Sequence, residues 1–201
     1  MAAPNSGLDV CNASLDLLSE EPIANITNPT DRLGKRVARW YDARRRAVLR
    51  RHTWNFATKR VSLPALAAEP EYEYSTAYQL PSDFIRFVDA ADLGLVDYAI
   101  EDGTLLCNES GTLNFRYIYD CTNISKWDAQ AVEVLKLDLA MYLAPGCGKK
   151  DMIGDFKELL DEASADAHAT DGQESPPKRI HRSRLRSARR GIKTRRGDIY
   201  E

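Results

Sequence analysis

Hydrophobic spacing changes twice along this chain, and the two changes leave few folds open. Over residues 7–20, Leu8, Cys11, Leu15 and Leu18 recur at steps of three and four, one face of a helix, and Pro22 stops it. Asn28-Pro29-Thr30-Asp31 is a helix-start signal. It opens a second helix over about 31–52, with Leu33, Val37, Trp40, Tyr41, Ala47 and Val48 as its buried stripe. After Trp54-Asn55-Phe56 the period drops towards two. Lys59–Leu63 reads as a strand, and Leu80-Pro81-Ser82-Asp83 as a turn into the apolar run Phe84–Val88. Tyr98–Glu101 and Thr104–Cys107 flank Asp102-Gly103 as a tight hairpin. Leu113, Phe115, Tyr117 and Tyr119 alternate with polar residues, as a half-buried strand does. Helical spacing then returns, with Trp127, Ala131, Val134, Leu135, Leu139 and Tyr142 in a third helix over about 125–144. Met152, Phe156, Leu159, Leu160, Ala163 and Ala167 form the inner stripe of a fourth, over about 149–170. The expectation is an α+β fold: a mainly α-helical bundle of about four helices carrying one small antiparallel β insertion over about 57–120. The core is expected to span 1–172, with a C-terminal arm at 173–201.

Charge is segregated as sharply as periodicity. Pro176–Glu201 holds ten Lys/Arg and only Asp198 and Glu201 as acids, so the arm carries +8. The preceding 175 residues hold 18 basic and 28 acidic side chains, a net −10. The near-neutral total thus hides an acidic body and a basic arm too poor in apolar residues to order itself without a partner. Nine cations crowd the second helix, opposed only by Asp31 and Asp42. The triplet Arg44-Arg45-Arg46 spans most of the helix circumference, so at least one of these arginines lies near the buried stripe and needs a partner there.

Other readings are narrowed by what the residues lack. No run approaches the roughly 18 apolar residues of a membrane span, and the N-terminal residues show no secretory signal pattern. Cys11, Cys107, Cys121 and Cys147 stand far apart and read as reduced, mostly buried thiols. His52, His168 and His181 have no zinc-site spacing. Gly146-Cys147-Gly148-Lys149-Lys150 looks like the end of a phosphate loop. Leu143 stands where its first glycine belongs, however, and no hydroxyl residue follows the lysines, where Lys150 and then Asp151 stand. The expectation is a non-enzyme with no catalytic residues, no metal and no cofactor. The acids Asp155, Glu158, Asp161 and Glu162 read as a solvated or intersubunit face.

Four segments carry a resemblance to a known family. Leu8 to Ala24 resembles the opening helix of the head-to-tail adaptors of tailed bacteriophages, called tail tubular protein A in short-tailed phages. Ala43 to Ala57 is similar to that family's long helix closed by a Trp-Asn-Phe-Ala motif. Tyr78 to Arg86 resembles its Tyr-x-Leu-Pro-x-Asp-Phe-Leu-Arg segment. Phe115 to Ile118, followed by Trp127-Asp128, resembles its last strand and the entry to its third helix.

The resemblance implies a structural virion protein of the tail and neck, assembled in the host cytoplasm. Such adaptors form a homo-oligomeric ring, commonly of twelve copies. The ring binds the portal protein and continues the channel through which DNA passes during ejection, touching it non-specifically. Its far face carries the tail nozzle or tail terminator, and no membrane is involved. In related adaptors the C-terminal segment embeds in the portal. The resemblance therefore implies portal contact for Lys178, Arg179, Ile180, Arg182, Arg184, Leu185, Arg186, Arg189, Arg190, Ile192 and Tyr200. Apolar groups spaced through the arm fit a groove better than a phosphate brush. Contact with DNA and a solubilising role are the other readings of the arm.

Charge complementarity then makes Arg36, Arg39, Arg44, Arg45, Arg46 and Arg50 candidate intersubunit residues. The alternatives for these six are intrachain pairs, solvent or the channel wall. Trp54 and Phe56 read as core packing or as an interface anchor. Tyr72, Tyr74 and Tyr78 read as a nozzle or neighbour contact at a tip of the insertion, or as an ordinary sheet edge. The runner-up for the whole chain is a non-enzymatic DNA-binding protein using its basic arm.

Overall fold

The computed structural model describes residues 4–90 and 97–174. Four helices and two small antiparallel sheets make the fold mixed α+β, as the periodicity predicts. Helix α1 is Gly7–Leu17, α2 is Arg32–Arg51, α3 is Ala129–Leu143 and α4 is Ile153–Glu174. Three of the four starts show how the sequence sets them. At α1 the Ser6 side chain accepts from the Asp9 N–H while the Asp9 carboxylate takes the Ser6 N–H, a reciprocal capping box. Asp31 caps α2 through the Gly34 N–H, and Asp128 caps α3 through the Gln130 N–H.

Boundaries differ from the expected ones for local reasons. Helix α1 stops at Leu17 because Ser19 takes a left-handed φ of 50°, before Pro22 is reached. Ile124–Lys126 is a separate 3-10 turn, so the third helix begins at Ala129 and not at 125. The fourth helix starts later than expected, at Ile153, and continues through Gln173 and Glu174, past the expected core boundary at 172. Two single-turn 3-10 segments, Ala144–Cys147 and Lys150–Met152, join α3 to α4. The glycine-lysine stretch therefore belongs to a helix connection.

Helix α3 is the centre of the helical layer and packs against α1, α2 and α4. Val132, Val134, Leu135, Leu137, Leu139 and Leu143 are all buried, so apolar side chains surround nearly its whole circumference. The sequence reading assigned it a single stripe. Two assigned core positions are corrected: Tyr142 and Leu159 lie at the surface. Side-chain bonds tie the periphery to this centre. Ser14 donates to the Lys136 carbonyl at 3.0 Å, and the Asn12 amide brackets both backbone groups of Ile23.

The β insertion is two sheets, where the sequence reading expected one. Strands β1 (Thr58–Pro64), β6 (Thr112–Tyr119) and β3 (Phe84–Ala90) form the first, with β6 in the middle. Strands β2 (Thr76–Gln79), β5 (Thr104–Cys107) and β4 (Tyr98–Glu101) form the second. Asp102 and Gly103, with φ of 44° and 71°, make the tight β4–β5 turn that the Asp-Gly pair predicts. The two sheets share a second core of Tyr78, Leu80, Leu105, Leu113, Phe115 and Tyr117.

Two bulges in β3 connect this second core to the helical one. Pairing with β6 slips between Phe84 and Arg86 and again between Phe87 and Asp89. Each slip adds one residue. Phe84, Phe87 and Ala90 therefore face the second core, while the extra residues Ile85 and Val88 pack on the helical core. A regular strand, alternating every residue, would not divide the run this way.

Candidate docking surfaces

Helix α2 carries its nine cations on two faces with different chemistry. On the inner face Arg45 is 3% exposed and bonds the Asp120 and Asp42 carboxylates. Arg46 reaches the other oxygen of Asp120 at 2.8 Å. Burial pushes the Asp120 carboxyl up, but hydrogen bonds from Arg45 and Arg46 outweigh it and leave Asp120 below the ordinary carboxylate value. Asp138 of α3 is fully buried. Arg44 grips it bidentately at 2.6 and 2.9 Å, and Arg51 reaches it at 2.9 Å. Arg44 also lies 3.7 Å over the Tyr142 ring, which tilts against Trp40.

The partner required by the arginine triplet is therefore found within the subunit, at Asp120 and Asp138. Arg44 and Arg45 act inside the fold, which is the intrachain alternative for these two. Arg36 donates to the Gly146 carbonyl, and Arg50 to the Ile85 carbonyl at 2.6 Å. Arg32, Lys35 and Arg39 are exposed and have no ion pair among the described residues. With Thr30 and Arg36 they line an open recess of about 530 Å³ that contains no carboxylate.

The Trp-Asn-Phe turn is a clamp. Trp54 is buried and donates from its indole N–H to the Val48 carbonyl at 3.0 Å, and Phe56 stacks between Trp54 and Trp127. Trp54 lies in the helical core and Phe56, partly buried, packs against it, the first of the two readings. Asn55 holds the last turns of α4: its backbone N–H donates to the Asp171 carboxylate at 2.9 Å, and its side-chain amide to the Asp171 carbonyl at 2.8 Å. The second Asp171 oxygen lies 2.9 Å from Nε2 of His52, whose ring stacks on His168 at 4.1 Å. Burial, then the neighbouring His52 charge, lowers the His168 pKa, with Asp171 opposing. This His52–His168–Asp171 cluster was missed in the sequence reading, because 116 residues separate His52 from His168. The only prior signal was a histidine at each of two helix ends.

The remaining candidates fall into place individually. Tyr78 is fully buried, and its hydroxyl donates to the Glu109 carbonyl at 3.0 Å. It is a core residue, which corrects its assignment to an outer contact. Tyr72 is 79% exposed and Tyr74 is partly buried. Arg86 does something the apolar run did not foretell: it donates to the Arg50 carbonyl at 3.1 Å and to Thr53, tying the end of α2 to the sheet. The four cysteines are free thiols, and burial, helped by Asp42, pushes Cys11 up to about 12. Asp155, Glu158, Asp161 and Glu162 all lie on exposed positions of α4. Among the described residues no group of three or more His, Cys, Asp or Glu is placed to hold a metal ion. The arm residues from Lys178 to Tyr200 lie outside the described residues.

No family model matches this chain, and no curated protein matches it. None of its described helices is long and apolar enough to cross a membrane.

Proposed function

We propose that this chain is a structural virion protein, a head-to-tail adaptor. Copies of it form a ring that binds the portal, continues the DNA channel and offers a platform to the tail nozzle or terminator. The observation that carries the reading is the segregation of charge, an acidic body followed in sequence by the basic, partly apolar stretch 176–201. The helix that precedes this stretch, α4, is pinned near its end to the Trp-Asn-Phe turn by Asp171 and Asn55. That division of charge suits docking into a larger scaffold. The segments that resemble the adaptor family contribute α1, the end of α2 with its clamp, the entry to β3, and β6.

In this reading the protein's work is geometric. The arm's arginines fork onto portal carboxylates while Ile180, Leu185, Ile192 and Tyr200 fill apolar recesses. No step needs a cofactor. Deleting residues 175–201 is expected to abolish co-sedimentation with the portal protein of the same virus while leaving thermal unfolding of the body unchanged. Portal binding by the truncated chain equal to that of the full chain overturns the reading.

The +8 arm favours one second reading, a non-enzymatic DNA-binding protein. Under it the same deletion removes an affinity for duplex DNA that falls steeply with salt, because each phosphate contact releases counterions.

A further inference from the structure

The geometry points to a self-docking contact: the outer basic row of α2 in one copy receives the outer acidic row of α4 from a second copy. This rests on the adaptor reading and deepens it by naming the two faces that meet.

At 100° per residue, Arg32, Lys35, Arg39 and Arg46 share one side of α2. All four are exposed, and Arg32, Lys35 and Arg39 border the carboxylate-free recess. Arg32, Lys35 and Arg39 contrast with Arg44, Arg45 and Arg51 of the same helix, which already hold the carboxylates of Asp138 and Asp120; Arg46, at the far end of the row, shares Asp120. On α4, Asp155, Glu158, Glu162 and Asp166 share one side over about 16 Å at 1.5 Å per residue. All are exposed, and none has an ion pair among the described residues. Leu159 stands beside them 48% exposed, an apolar group at the edge of the acidic row. On the basic row the matching break is Ala43, exposed and small enough to admit it.

The topology keeps the two rows from meeting within one subunit. Helices α2 and α4 both pack on α3, yet make little contact with each other. One subunit therefore presents a cationic helix on one flank and an anionic helix on another. Two different surfaces that complement each other make a heterologous contact, which propagates around a ring when the rotation closes. Exposed ion pairs are individually weak, so the rows set register and encounter rate, and the Leu159 contact adds burial.

The experiment uses the full chain in low and high salt, with self-association followed by sedimentation velocity and native mass spectrometry. Two variants reverse one face each: Arg32→Glu with Arg39→Glu, and Glu158→Lys with Glu162→Lys. All four residues are exposed, so both variants should melt as the parent does. Each alone is expected to weaken self-association about tenfold or more, since like charges now face each other. Mixed one to one, the two variants complement each other at both contacts, one native and one charge-reversed, and should co-assemble in alternation although neither assembles alone. All four substitutions in one chain should restore assembly. Assembly unmoved by the single-face variants overturns the inference, and so does a chain that stays monomeric up to about 1 mM. Loss of duplex-DNA binding in the α2 variant, with assembly unchanged, likewise overturns it by identifying the other polyanion. Portal co-sedimentation is scored separately, so the adaptor reading survives or fails on its own.

Discussion

Asp138 is the residue on which most depends for its size. A fully buried carboxylate is tolerable only because Arg44 and Arg51 surround it, and each of those guanidiniums was drawn inward by it. Asp138→Asn keeps the shape and removes the charge, leaving two cations facing a neutral amide. The expected cost is about 3 kcal/mol, at the low end for a broken buried pair because Arg51 keeps access to water. It should appear as a lower urea midpoint with an unchanged slope. His168 gives a pH-dependent test. Its pKa in the fold lies below the ordinary 6.5, so the unfolded chain binds more protons in the interval between the two values. Stability is then full above about 6.5 and is lost as pH falls through the window below it. In His168→Gln the unfolding free energy, measured between pH 7.5 and 5.5, should fall less steeply than in the parent. An identical slope in both proteins would assign the acid sensitivity elsewhere.

At the scale of elements, the telling junction is that between α4 and the turn after α2. From sequence alone the fourth helix ends at about 170, just short of Asp171-Gly172. In the structure Asp171 is the most anchored residue of the last turn, with three hydrogen bonds to Asn55 and His52. Truncation after Glu174 should therefore leave the melting temperature where it is. Truncation after Thr170 should lower stability by about 2–3 kcal/mol, one net kcal/mol or so per lost hydrogen bond. Equal melting of the two truncated chains would mean that the clamp contributes nothing. Strand β3 shows the same limit on reading from sequence. Its apolar run is visible in the chain, but the division of Phe84 and Phe87 from Ile85 and Val88 between two cores depends on two bulges against β6. No local pattern encodes those bulges.

For the molecule as a whole, two cores meet along β3 and β6, and the helical layer meets the first sheet where α2 packs on those two strands. That arrangement gives the body two cationic neighbourhoods with opposite roles. Inner arginines fasten α2 to α3 and to the end of β6, and outer ones remain available at the surface. The formal charge of α2 does not separate these roles, since both faces have the same composition. The α+β class, the four helices, the Asp-Gly hairpin and the alternation in β6 were legible in the residues, because periodicity, caps and turn chemistry are local and repeat over a few positions. What only the tertiary structure decided was contact between residues far apart in sequence: the central place of α3, the split of the insertion into two sheets, the carboxylates that engage Arg44 and Arg45, and the pairing of His52 with His168 and Asp171. Partners of that kind are chosen by packing three-dimensional surfaces, and spacing along a chain contains no record of which distant carboxylate will be brought beside which arginine.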